Sequence, residues 1–177
     1  MSEERVLFEH EAIGRTLRRL ALEIVDATRG TERLALVGIR RGGVPLAGRL
    51  AALIAETEGK SVPVGTLEIA LYRDDAATAP PDPKIGPSHI DFPVSGRDVV
   101  LVDDVLQTGR TVRAAIDGLL DYGRPRRIWL AVLFDRGGRE LPVAADFVGR
   151  AVELAPGEKL LVELEGESDR AIVRSKS

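Results

Sequence analysis

The residues best placed to do chemistry lie in one run, Val99-Val100-Leu101-Val102-Asp103-Asp104-Val105-Leu106-Gln107-Thr108-Gly109-Arg110-Thr111. Four apolar residues read as a strand buried on both faces. Asp103 and Asp104 follow where such a strand would emerge, and the polar turn 107–111 opens an amphipathic helix. A turn in that position aims free backbone N–H groups and the positive helix end at one point, which suits a phosphate. The two carboxylates repel an anion, so beside a phosphate cradle they serve something else. They could accept hydrogen bonds from a sugar's vicinal hydroxyls, or hold a metal through water. A turn for a 5′-phosphate (Val105 to Thr111) next to acceptors for a ribose diol describes a phosphoribosyl group. The acidic strand of a nucleoside triphosphatase also ends in Asp, but it requires a Gly-x-x-x-x-Gly-Lys-Ser/Thr loop that this sequence lacks. An ordinary loop with a solvated acidic tip is the plainer alternative. The coincidence of turn and acid pair at a sheet edge, where ligands bind in such folds, speaks against it.

A second loop complements the first. Leu34-Ala35-Leu36-Val37-Gly38-Ile39 reads as a buried strand, and Arg40-Arg41-Gly42-Gly43 follows it before a helix opened by Val44-Pro45. Two guanidinium forks and the backbone N–H groups of Arg40, Arg41 and Gly42 can surround a pyrophosphate. Alone the pattern is a basic surface loop; it gains meaning from the acid-and-turn run some sixty residues on. His10 and His89 form no catalytic pair by spacing, and no Ser-His-Asp set or metal-ligand cluster is visible.

The elements that must position these loops alternate. A helix is expected over 9–28, with Ile13, Leu17, Leu20, Ile24 and Ala27 on one face and Arg15, Arg18 and Arg19 off it. Strands are expected over 34–39, 62–71, 99–102 and 126–134, with short final strands over 145–149 and 160–164. The helix after Thr111 carries Val112, Ala115, Ile116, Leu119 and Leu120 as its stripe, and Gly123 and Pro125 stop it. Between 72 and 90 periodicity gives way to an Ala- and Pro-rich loop, long enough inside a compact domain to be functional. The pattern is α/β and doubly wound, a single domain over 1–177.

Composition fits that reading. The chain has 177 residues, no cysteine and a net charge of −3, so nucleic-acid binding requires a local basic face. No run is long enough to span a membrane and no secretory signal opens the chain; a cytoplasmic location is expected.

The run ending Val-Asp-Asp-Val-Leu-x-Thr-Gly-Arg-Thr-Val-Arg resembles the phosphoribosyl-pyrophosphate (PRPP) motif of type I phosphoribosyltransferases. Its wording is similar in particular to the PyrR family, pyrimidine-operon attenuation regulators that are also uracil phosphoribosyltransferases. The likeness extends over Tyr72-Arg73-Asp74-Asp75, Ser88 to Val94 and Asp135-Arg136-Gly137-Gly138-Arg139-Glu140-Leu141-Pro142. It implies a mostly parallel central sheet flanked by helices, capped by a small hood from the N-terminus and about 140–177. It also implies conversion of uracil and PRPP to UMP and pyrophosphate with Mg²⁺ bound alongside PRPP, reaching Asp103 and Asp104 through water at most. By the same likeness Asp103, Asp104 and Arg73 carry the catalysis, Arg73 as a cation for the leaving pyrophosphate. Arg136 and Leu160 border the base pocket, and Arg18, Arg19, Arg139 and Arg150 form a face for pyrimidine-operon leader RNA. Leu22 and Ala144 depart from that face, standing where the family carries a histidine and an arginine. Relatives form homodimers or homotetramers. A phosphoribosyltransferase for a purine base, without an RNA role, shares the PRPP motif and is the alternative.

Overall fold

The computed structural model describes residues 3–74 and 87–175. Its main layer is a five-stranded sheet in the order β3-β2-β4-β5-β6, with every neighbouring pair parallel. The strands are β2 (Leu34–Ile39), β3 (Val64–Leu67), β4 (Asp98–Leu106), β5 (Arg127–Asp135) and β6 (Phe147–Ala151). Every residue of β2 is buried, as is β4 from Asp98 to Asp103, because helices cover both faces at the centre of the sheet. Helices α1 (His10–Thr28) and α2 (Gly43–Glu58) pack one face, where Leu17, Leu20, Leu50 and Ile54 meet Leu34, Leu36 and Val100. Helix α3 (Arg110–Leu120) packs the other, where Val112, Ala115 and Leu119 meet Val37, Leu101 and Val132. Each fully buried Leu or Ile contributes roughly 1.5–3 kcal/mol.

A second sheet has the order β1-β8-β7 and is antiparallel, built from β1 (Glu4–Glu9), β7 (Glu158–Glu163) and β8 (Arg170–Ser175). It joins the two ends of the chain, with Glu4 opposite Arg174.

Chain order fixes where a ligand can bind. From β2 the chain moves outward to β3, returns across β2 to β4, and continues through β5 to β6 on the other side. Between β2 and β4 the winding reverses, and loops leaving the carboxyl ends of those strands diverge to leave a crevice. Those loops are Arg40–Gly42 and Gln107–Gly109.

Several expected boundaries move. The third strand stops at Leu67 rather than Leu71, and a 3-10 turn follows over Ala70–Tyr72. The cause is local: Ser88 Oγ accepts the Glu68 N–H at 2.7 Å, and the Glu68 carboxylate accepts the Ala70 N–H at 3.0 Å. The fourth strand runs on through Asp103 and Asp104 to Leu106, because β5 continues as its partner to Asp135. Leu120 and Ala27, expected on buried helix faces, are exposed at the last turns of α3 and α1. The sixth strand begins at Phe147 and ends at Ala151, and β8 was not foreseen. The Pro-rich stretch around Pro80, Pro81 and Pro83 lies outside the described residues.

Candidate active site

Because β4 keeps its extended geometry to Leu106, Asp103 and Asp104 sit on opposite sides of the strand. Asp103 is 7% exposed, and its Oδ1 accepts the Asp104 N–H at 2.9 Å. Asp104 is half-buried, and its Oδ1 accepts the Val105 N–H at 2.8 Å. Burial pushes the Asp103 carboxyl well above the usual aspartate range, and the neighbouring Asp104 charge pushes the same way. Folding therefore keeps a proton on Asp103 at pH values where the unfolded chain has released it. Stability falls as pH rises from the ordinary aspartate range to the raised value. Asp103→Asn keeps the acceptor and removes the titration. The free variant should melt higher than the parent at neutral pH, by about 1 kcal/mol or roughly 2–4 °C at this size, with the gap closing towards acid. Melts across pH check this, and an unchanged gap at every pH would contradict it.

After Leu106 the chain turns. Gly109 has φ of 91°, a left-handed conformation that disfavours any side chain, and it caps the N-terminus of α3. A cavity of about 300 Å³ opens over this turn, lined by Asp103 to Gly109, Thr111 and Val112. Arg136 from the β5–β6 loop and Leu160 from β7 complete its wall, so the small sheet contributes directly. Arg110 does not line it. Its guanidinium pairs instead with Asp74 and, at 3.6 Å, with Glu140.

The β2–α2 loop closes in beside the carboxylates. The Arg40–Arg41 peptide is cis, and the Arg40 N–H donates to Leu67 O at 3.0 Å. Among the described residues Arg40 Nε is buried without an acceptor, a donor suited to an anion. Gly42 and Gly43 allow a close approach: a Cβ at Gly42 would lie 2.2 Å from Asp104 Oδ2, and one at Gly43 1.9 Å from Val102 O. Arg73 is exposed just past the 3-10 turn; among the described residues it does not line the cavity.

Sequence reasoning missed how the loops are tied together. Thr108 O accepts the N–H groups of Glu140 and Leu141 at 3.0 and 3.1 Å. Arg139 donates to Gln107 O and Val143 O, both at 2.8 Å, and to Asp135 Oδ2 at 2.5 Å. Burial acts to raise the Asp135 carboxyl, but the Arg139 guanidinium and the Gly137 N–H outweigh it and hold it below its ordinary range. Arg139, expected on an RNA face, also ties the 107–109 turn to the β5–β6 loop. The spacing of Asp135 and Arg139 was the available signal. Arg18, Arg19 and Arg150 are exposed, and the last two lie where α1 meets β6: Arg19 donates to Gly149 O, and Arg150 Nε to Thr16 Oγ1 at 3.4 Å. Leu22 and Ala144 are exposed as well.

Among the described residues no group of three acidic, histidine or cysteine side chains is placed to hold a metal. Asp103 and Asp104 are the carboxylates that line the cavity, oxygen donors of the kind that meet Mg²⁺ through water.

A parallel sheet with an acid pair and a glycine turn at its reversal point, and a basic loop beside them, is the arrangement of the phosphoribosyltransferase class. The Phosphoribosyl transferase domain profile matches residues 5–155. The chain belongs to that family, and within it to the PyrR proteins. It is 58% identical to the Bifunctional protein PyrR of Thermus aquaticus over 151 residues, 85% of this chain and 83% of that one. To the protein of the same name from Pelotomaculum thermopropionicum it is 51% identical over 174 residues, 97% and 96% of the two chains. The hypoxanthine phosphoribosyltransferase of Trypanosoma cruzi shares the fold, with a TM-score of 0.70 and 18% identity over 97% of both chains. No helix among the described residues is long and apolar enough to cross a membrane.

Proposed function

We propose that the protein transfers the phosphoribosyl group of PRPP to uracil, giving UMP and pyrophosphate, and that it also binds pyrimidine-operon leader RNA in response to uridine nucleotides. The observation that carries the first part is the single cavity in which the acid pair, the phosphate turn, Arg136 and Leu160 share one wall. In this reading the bond from the anomeric carbon to pyrophosphate breaks as the bond to the uracil nitrogen forms, and that nitrogen loses its proton. Positive charge develops on the sugar, and the ring oxygen shares it. Asp103 and Asp104 bind the ribose diol and favour that cation, while the 105–111 backbone fixes the 5′-phosphate. Arg40, Arg41 and Arg73 receive the leaving pyrophosphate. Mg²⁺ bound with PRPP supplies further charge neutralisation. The reaction and its RNA target belong to the cytoplasm.

Incubating the full chain with PRPP and, separately, uracil, hypoxanthine and guanine tests the base. UMP alone is expected, and a purine nucleotide as the main product would overturn the assignment. For the second part, Arg18, Arg19 and Arg150 are the surface cations left for RNA once Arg139 is committed to bracing. Replacing Arg18 and Arg150 together with Ala should weaken leader-RNA retention about tenfold at moderate salt. It should also flatten the log–log salt slope by about 0.7 for each phosphate no longer neutralised. A parent slope near zero would remove the RNA role.

A further inference from the structure

At the opposite end of the sheet, where the strands begin, a second cavity of about 450 Å³ opens. Its walls carry Arg29 and Arg33 ahead of β2, and Arg126, Arg127 and Trp129 at the start of β5. The acids facing them are Glu32 and Asp98. Asp98 is 1% exposed and already matched, because Arg126 Nε and Nη2 donate to its two oxygens at 3.0 and 2.8 Å. Arg127 lies 4.0 Å over the Trp129 ring, which leaves its N–H groups without an acceptor among the described residues. No hydrogen bond or ion pair holds the guanidinium of Arg29 or Arg33 among the described residues. Among the described residues, three guanidinium groups without a carboxylate partner therefore face one exposed carboxylate, Glu32.

Among the described residues Trp129 Nε1 has no acceptor, and its ring forms part of the cleft wall under Arg127. Arg29 caps the C-terminus of α1 with φ of 55°, a left-handed conformation in which glycine is the usual occupant. Planar forks from two segments, one ahead of β2 and one opening β5, match the oxygens of a phosphate. Asp98 and Asp103 stand five residues apart on β4, about 17 Å at roughly 3.3 Å per residue, so this cleft is separate from the carboxylate cavity.

We propose that the cleft of Arg29, Arg33, Arg127 and Trp129 is a second anion site, taking a phosphate group either of a free nucleotide or of a single RNA strand. Trp129 is the only tryptophan in the chain, so its fluorescence reports on this cleft. The full chain is titrated at low salt with inorganic tripolyphosphate, with UMP and with a short oligouridylate. The same titrations are run on Asp104→Asn and on the double variant Arg29→Gly/Arg33→Ala, whose glycine suits the left-handed backbone. A saturable emission change is expected in the parent and in Asp104→Asn. In the double variant it should be weaker by about tenfold or more, with UMP formation unchanged. A response to tripolyphosphate or UMP identifies a free phosphate ligand; a response to oligouridylate alone, steep in salt, identifies RNA. No response to any probe would overturn the proposal. So would a response lost in Asp104→Asn and kept in the double variant.

Discussion

Replacing Asp104 with Ala should lower kcat for UMP formation by about 10²- to 10³-fold while the domain stays folded. The carboxylate is half-buried and lines the cavity, and its Oδ1 accepts the Val105 N–H at 2.8 Å. Truncation opens space that water can fill, so the core is not disturbed. On the proposed reaction, what is lost is a fixed negative charge beside the sugar at the moment positive charge develops there. That loss belongs to the transition state, so kcat should fall while KM for PRPP changes little. Steady-state kinetics with a thermal melt separate the two effects. Parental kcat in a folded variant would take Asp104 out of the mechanism.

The contrast with Asp103 follows from the pleat. The two acids are sequence neighbours, yet β4 remains extended through both and turns one into a buried, hydrogen-bonded position and the other towards solvent. From sequence they read as an equivalent pair beyond the strand's end. The register that separates them is set by β5, whose Phe134 and Asp135 pair with Val105 and Leu106. No local pattern in residues 99–111 carries that information.

Legibility elsewhere divides along the same line. The centres of β2 and β4 were visible because double-sided burial leaves an unbroken apolar run, and Gly109 because a helix opening there needs a sharp turn. The small sheet was mostly invisible. Its strands pair residues at opposite ends of the chain, and β1 keeps a largely exposed pattern that resembles a polar terminus. Leu160 was expected at the base pocket only through family likeness; in the structure β7 carries it to the wall of the cavity that Arg136 also lines. Arg139 was expected on the RNA face only through family likeness; its contacts to the carbonyls of Gln107 and Val143 depend on the folded loop and leave no local sequence pattern.

The adjacent glycines of the β2–α2 loop should respond to the same substitution in opposite ways. In Gly42→Ala the new Cβ meets Asp104 Oδ2 at 2.2 Å, the far end of a side chain that can swing aside. The variant should fold with a loss of under about 1 kcal/mol, since a carboxylate at the cavity mouth is cheap to move. Its kcat, however, should drop by about 10²-fold, because the displaced carboxylate no longer meets the sugar. In Gly43→Ala the Cβ meets Val102 O at 1.9 Å, and backbone in the middle of the sheet cannot yield. Either β4 or the first turn of α2 must shift, and overpacking of that kind costs about 3 kcal/mol or more. That is roughly 6–12 °C at this chain length. Gly43→Ala should therefore be found mainly as a stability defect, with activity lost through unfolding. Gly42→Ala should be a kinetic defect with a near-parental melt. Adding Asp104→Ala to Gly42→Ala should cost little further activity, because both changes remove the same interaction with the sugar. Full additivity in that double variant would show that Gly42 acts on the reaction by some route other than the Asp104 carboxylate.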